Sequence, residues 1–192
     1  TLPAPESHQY GATWFAPERS ERIHQLLQAT TAHTTGTNIA MQLDQHSVLA
    51  DKLQAWLNAP ANSADLNTAI AKLDQDTRAK ASEALTVLQT FDGNLGQQSR
   101  GAAVYGAFLH SAARRIFGDE LGDRGGDLWQ AFLAANAVSY GAVEDHLLQR
   151  GDESPFWDDI RTPQKETKTD TLALALKDSV QLVEGALGKD RQ

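Results

Sequence analysis

In SRGAAVYGAFLHSAARRIF, residues 99–117, apolar side chains recur every four positions at Val104, Phe108, Ala112 and Ile116. Tyr105, Leu109 and Ala113 widen the stripe. A stripe that broad requires an α-helix buried over much of its circumference, so other elements must surround it. No stretch of the chain alternates convincingly between apolar and polar residues with period two, the pattern of a half-buried strand. The sequence therefore predicts an all-α fold, an irregular multi-helix array that is orthogonal or bundle-like, with six to eight helices.

The remaining helices follow from anchors and caps. Pro17 suits the first turn of a helix, where its missing N–H costs nothing, and Ile23, Leu26 and Leu27 mark the expected buried face. A second helical region covers about 36–57, anchored by Ile39, Leu43, Leu49, Leu53, Trp56 and Leu57, with a bend near His46 and Ser47. NAPANS (58–63) reads as a turn with Ser63 as N-cap of the next helix. Residues 76–93 read as a helix closed by Asp92 and Gly93. GDELGDRGG reads as a loop, and shorter helices follow near 127–136 and 139–149. Thr167, three positions before Asp170, resembles a capping box for a last helix that buries Leu172, Leu176, Val183 and Leu187 and ends at Gly188. Residues 1–15 are expected to be irregular and 16–192 to form a single helical domain.

The loop SPFWDDIRTPQKETKTD (154–170) carries adjacent rings, Phe156 and Trp157, where a passive linker would use Gly, Ser and Asn. Aromatic anchoring of a long crossover onto the helical body explains them, with Thr162 and Pro163 setting the entry to the last helix and the surrounding charges forming a solvated rim.

Composition excludes several classes of function. The 192 residues include 17 basic and 25 acidic side chains, a net charge of −8, and no more than two basic residues are adjacent. That is no nucleic-acid footprint. With no cysteine, the chain has no thiolate nucleophile, disulfide or Cys-based zinc site. The most apolar run, 131–143, is too short to span a bilayer. TLPAPESHQYG has none of the features of a signal peptide, and with no initiator Met the chain reads as a piece of something longer or a processed product.

Few residues are placed to do chemistry. Arg19 precedes Ile23, Leu26 and Leu27 by four, seven and eight residues, so it shares their helical face. It also sits in a first turn, where the helix dipole disfavours a cation. Either it pairs with a core acid or snorkels, or it serves a site. His46 lies two after Asp44 and four after Gln42, which is no pair of ligands on one helical face. Glu144, Asp145 and His146 fail the three-residue Glu–His spacing of bundle metal sites, and no metal ligand is assigned. No nucleophile-elbow glycines flank a serine. SRGAAVYGAF lacks phosphate-loop spacing and lysine. Thr1 precedes a proline-containing loop rather than the buried strand that an N-terminal nucleophile begins.

Five local patterns, in order, resemble the penicillin amidase (penicillin acylase) family, which includes acylases of N-acyl homoserine lactones. WFAPERSERIHQLL (14–27) resembles its Arg-x-x-Arg-Ile-x-x-Leu-Leu segment. HTTGTNIAMQLDQHSVLA (33–50) is similar to its Gln-x-Asp-x-x-Ser-x-x-Ala segment. LQTFDG (88–93) resembles its Leu-x-x-Trp-Asp-Gly, with Phe91 in place of Trp. GAAVYGAFLHSAARRIFGDELG resembles its long helix, and FWDDIRTPQKET (156–167) its Trp-x-Asp-x-x-Thr-Pro-x-x-Glu-Thr block.

The resemblance runs from about Trp14 to Lys189 and covers only the helical middle of the family's catalytic β chain. It implies a fragment of an N-terminal-nucleophile (αββα) hydrolase that cleaves amide bonds of acylated small molecules such as β-lactams or N-acyl homoserine lactones. In that chemistry a serine exposed by self-cleavage attacks the amide, its own amine acts as base, and an Asn with a backbone N–H holds the oxyanion. The nucleophile's Ser-Asn-x-Trp strand and the Asn would lie upstream of Thr1, and a Trp-x-Trp-Gly segment beyond Gln192, so the chain alone is expected to be inactive. Its partners would be the nucleophile-bearing sheets and α chain of the same acylase and an acylated substrate, with no nucleic acid and no membrane. Export to the periplasm or beyond is implied. The family's arginine beside the nucleophile and oxyanion residues falls on Arg19, and its second motif arginine on Arg22, in a structural role. Structural calcium is common in the family, but the acid expected upstream of Arg19 is not clearly matched by PESHQ; no cofactor is assigned to this chain. The alternative is a self-standing, non-enzymatic α-helical binding or interaction module.

Overall fold

The last helix organises the others. In the computed structural model, which describes residues 17–122 and 125–188 without side-chain detail at 136–138, α9 (Lys168–Leu187) packs along α6 (Arg100–Leu121), α5 (Gln75–Gln89) and α4 (Pro60–Ala71). Its inner surface mixes small and large residues: Ala173, Ala175 and Ser179 are fully buried beside Leu172, Leu176 and Val180. Small side chains let neighbouring backbones approach while the leucines fill the space between them. Salt bridges flank this seam, Lys80 to Glu184 at 2.6 Å, Arg115 to Asp178 at 2.7 Å and Lys72 to Asp170 at 3.3 Å. The 99–117 stripe is buried as its periodicity requires, with Val104, Phe108, Ala112 and Ile116 in the core.

Around that centre lie α3 (Val48–Asn58), α7 (Asp127–Ala134) and α8 (Asn136–Leu148), with α1 (Glu18–Gln28) against α3 and α2 (Thr35–Gln42) beside them. The described residues form nine α-helices and no strand. The fold is all-α, as the periodicity predicts, with one helix more than the upper count. The proposed irregular segment 1–15 lies outside the described residues.

Capping chemistry explains which boundaries follow the sequence. Thr167 accepts the Asp170 N–H and the Asp170 carboxylate accepts the Thr167 N–H, completing the expected capping box. Ser99 caps α6 through the Ala102 N–H, and Gly122, at φ +72°, ends it four residues later than expected, so the anticipated loop begins as helix. Three expectations fail. Residues 36–57 are two helices rather than one bent helix, because Ser47 caps a new start through the Ala50 N–H. NAPANS is not a turn: Pro60 opens α4 at a first-turn position, and Ser63 lies inside the helix. The fifth helix stops at Gln89, and Gly93, at φ +76°, belongs to the turn beyond it.

The aromatic loop docks as expected. Trp157 is 1% exposed, and its indole N–H donates to the Gly151 carbonyl at 2.8 Å. The Thr171 hydroxyl donates to the Trp157 carbonyl at 2.6 Å, tying the loop to α9. Phe156 lies edge-on to Phe117 and His146. The surrounding acids are not a solvated rim throughout. Asp158 accepts the Glu166 N–H, and Glu166 accepts both the Asp159 N–H and the Thr162 hydroxyl, so half-buried carboxylates replace the backbone partners that a crossover lacks.

Lys168 fastens this loop to α8. Its ammonium is buried and donates to the carbonyls of His146 (3.2 Å), Leu147 (2.9 Å) and Arg150 (2.7 Å), groups that a helix C-terminus leaves without internal partners. It also lies 4.6 Å from the centre of the Trp56 ring. Burial pulls its pKa down to about 8, with the nearby Asp152 and Glu153 acting in the opposite direction. Lys168→Met keeps the stem and leaves those carbonyls without a donor. It should lower stability by about 2 kcal/mol in denaturant unfolding, and an unchanged midpoint would show that the carbonyls find water instead.

Candidate functional site

The residue singled out by sequence, Arg19, sits on the wall of a groove of about 550 Å³ between α1, α2 and the turns at 43–47 and 93–95. Ile23, Leu26 and Leu27 line the groove with it, so these four side chains share a face as the spacing requires. That face is not buried as expected. Arg19 is exposed, and Ile23 and Leu27 are 48% and 47% exposed. The anticipated anchors Ile39, on α2, and Leu43, just past its end, are 52% and 71% exposed.

Polar contacts turn α1 this way. Glu18, Glu21 and Arg22 of the same helix find partners on the body. The Arg22 guanidinium grips Asp44 with two hydrogen bonds, Nε to Oδ2 at 2.8 Å and Nη2 to Oδ1 at 2.6 Å. This pair holds Asp44 below the usual carboxylate range and Arg22 above its ordinary value. Arg22 is thus a structural clamp, as the family pattern suggests, and the Asp of Gln-x-Asp-x-x-Ser is its counterpart. The Ser of that pattern, Ser47, caps α3 and shares a hydrogen bond of 3.1 Å with the Tyr105 hydroxyl.

The floor of the groove joins two sequence-distant turns. His46 pairs with Asn94 in an isolated antiparallel bridge, Ser47 N–H donates to Gly93 O and Leu95 N–H to Gln45 O. A Cβ on Gly93 would stand 2.6 Å from His46 Cε1, and its positive φ already disfavours any other residue, which explains the Gly of the family's Trp-Asp-Gly. Phe91, which stands where the family pattern has Trp, is buried, and a Cβ on Gly101 would meet its ring at 2.3 Å. The His46 imidazole lies 2.7 Å from Asp51 Oδ2.

Behind the groove lies a charged cluster that sequence reasoning missed. Lys52 of α3 meets Glu18 at 2.9 Å, Glu21 at 3.1 Å and Glu144 of α8 at 3.6 Å. Burial pulls the lysine down, but the bonds to Glu18 and Glu21 outweigh it and raise it to about 12. Burial, then the hydrogen bond with Glu18, pushes Glu144 up to about 7. For Glu18, burial is outweighed by bonds from Glu144 and Lys52, and its pKa falls. Glu18 Oε2 is buried with no hydrogen-bond partner. The available signal was Lys52 itself, set amid the apolar anchors of α3.

The other candidates are structural. His146 is buried, with Nδ1 3.0 Å from the Ala142 carbonyl and Nε2 3.1 Å from Ser154 Oγ. That resembles a nucleophile and its base, but the rings of Phe117, Phe156 and Trp157 enclose the imidazole at 4.9–5.7 Å. No group of three or more His, Cys, Asp or Glu that could hold a metal occurs among the described residues. Where Glu18, Glu21 and Glu144 converge, the Lys52 ammonium occupies the space between them. PESHQ lies outside the described residues.

The described residues form an all-α body with an exposed groove between α1 and α2. The penicillin amidase family model matches residues 1–192, and the chain belongs to that family. It is 48% identical over 187 residues to the acyl-homoserine lactone acylase QuiP of Pseudomonas aeruginosa, covering 95% of this chain and 22% of that protein. It is 44% identical over 189 residues to QuiP of Pseudomonas fluorescens (96% and 23%) and 42% identical over 192 residues to QuiP of Pseudomonas putida (100% and 23%). The chain thus spans less than a quarter of the length of these relatives. No solved structure matches it significantly.

The carboxyl pair makes stability depend on pH. With its folded pKa near 7, above its unfolded value of 4.5, Glu144 keeps a proton in the folded state that the unfolded chain has released. Its contribution therefore falls as pH rises from about 4.5 to 7. Glu18, lowered, works the other way and loses its contribution only as pH falls below about 4.5. Glu144→Gln should raise stability at pH 8 relative to its effect at pH 5, by on the order of 1–2 kcal/mol. Denaturation midpoints at the two pH values measure this; the same shift at both would mean that no proton is held.

Proposed function

We propose that this chain is the helical part of the catalytic chain of an N-terminal-nucleophile amidase that hydrolyses N-acyl homoserine lactones or related acylated small molecules. The observation that carries this reading is the 42–48% identity to named acyl-homoserine lactone acylases across nearly the whole chain. The reacting serine, its amine and the oxyanion Asn belong to the rest of the enzyme, so the chain alone is inactive. Export to the periplasm or beyond forms part of the reading, and fractionation of cells expressing the full-length protein tests it.

In this scheme Arg19 supports the nucleophile and oxyanion residues. The Arg22–Asp44 clamp and the Glu18–Lys52 contact flank it on α1, fixing its backbone while leaving its guanidinium outward. A cation held there favours the negative charge that develops on the carbonyl oxygen during attack.

Arg19→Ala in the full-length enzyme should lower kcat/KM for an N-acyl homoserine lactone by about 10–100-fold, the scale of losing one electrostatic contact. Because Arg19 is exposed in the described structure, the melting temperature should stay within a few degrees. Unchanged kinetics would remove Arg19 from the site.

A further inference from the structure

A second hollow, of about 430 Å³, lies between α6, α9 and the crossover loop and shares no residue with the α1 groove. Ser111, Arg114 and Arg115 line it from α6, Asp178 and Gln181 from α9, and Arg161 from the loop. Three guanidiniums thus share one space with a single carboxylate, in a chain whose net charge is −8. Cations that converge in this way repel one another unless anions stand among them. The acids present are already engaged. Asp178 accepts from Arg115 Nε at 2.7 Å and meets Lys177 at 2.6 Å. Asp159 accepts from Arg161 Nε and Nη2 at 2.7 and 2.8 Å. These bonds hold two of the three guanidiniums in place while consuming the nearby negative charge.

Two donors in the hollow lack acceptors. Ser111 is 3% exposed, yet its hydroxyl makes no hydrogen bond among the described residues. Arg115 donates only through Nε, which leaves its two terminal amino groups without a partner among them. Positions 111 and 115 are one turn apart on α6, so these donors stand on the same face. A buried hydroxyl without an acceptor is costly, and it marks a place where something outside the chain supplies one. We infer that the hollow binds a phosphate group, with the Ser111 hydroxyl and the Arg115 guanidinium donating to its oxygens and Arg114 and Arg161 supplying further positive charge. Phosphate suits the site better than a carboxylate because its three or four oxygens can accept from a hydroxyl and more than one guanidinium together. A hollow of this size also admits the small group that bears the phosphate. None of this depends on the acylase reading or on Arg19.

The test uses the full-length protein and two probes. Calorimetric titration with inorganic phosphate at low ionic strength, where screening is weakest, should show one site with a Kd of about 1 mM or tighter. Sedimentation with phosphatidylcholine vesicles containing phosphatidic acid separates the sources of the group. Vesicle binding that inorganic phosphate competes away would place the phosphate on a lipid headgroup, and titration without vesicle binding would place it on a soluble molecule. Ser111→Ala removes one donor, and Arg115→Lys keeps a cation for Asp178 but not the fork. Each should weaken binding about tenfold with little change in melting temperature. Arg100→Gln, which removes an arginine paired with Glu83 at the start of α6, should leave binding unchanged. Should Arg115→Lys fail to fold, Ser111→Ala decides alone. Absence of binding to both probes overturns the inference, and so does binding that Ser111→Ala leaves intact or that Arg100→Gln weakens equally.

Discussion

A single ammonium holds the aromatic crossover and the end of α8 together. Lys168 is the first residue of α9, and its side chain completes the C-terminus of a helix twenty residues earlier. The charge is affordable in the interior because three carbonyl oxygens and the faces of Trp56 and Trp157 surround it, replacing the water it gives up. Through it α3, α8, the loop and α9 share one joint. Trp157 packs into that joint, and the Thr171 bond to its carbonyl sets where α9 departs. The seam with α6, α5 and α4 then follows from the direction in which α9 leaves.

The body and the groove obey different rules. In the body, apolar stripes find one another and charges stay at the edges, as in the pairs flanking α9. At α1, ion pairs bind the helix to the body while Ile23 and Leu27 stay exposed. Replacing a hydrophobic dock with the Arg22–Asp44 clamp fixes the helix by direction and distance rather than by area, since a bidentate pair has a defined geometry.

How much of this was legible depended on the range of the interactions involved. Helix 99–117 was plain because its burial pattern is encoded within itself, and the Thr167–Asp170 cap because three residues suffice to write it. Pro60 was harder, since a proline within a run of small and polar residues signals equally a turn and a helix start, and only packing of Leu66, Ala69 and Ile70 decides for the helix. The α1 stripe was read as buried because spacing reports which residues share a face, not whether anything covers it. Arg19 emerged from spacing and family pattern together, and the structure agrees on the company it keeps while differing on its exposure. The Lys52 cluster was invisible because Glu18, Lys52 and Glu144 come from three helices, and no local pattern joins positions 34 and 92 residues apart.

The position of α9 at the centre of the body also has a consequence for biosynthesis. A ribosome delivers α3 to α6 long before the helix that lines their shared interior, so the inner faces of α4, α5 and α6 wait for the last tenth or so of this stretch. Local helices can form early, but the closing contacts join residues about a hundred positions apart, as Lys80 and Glu184 do. Truncation just before residue 168 therefore leaves α1 to α8 without the helix that fills their shared interior, a form suited to capture by chaperones.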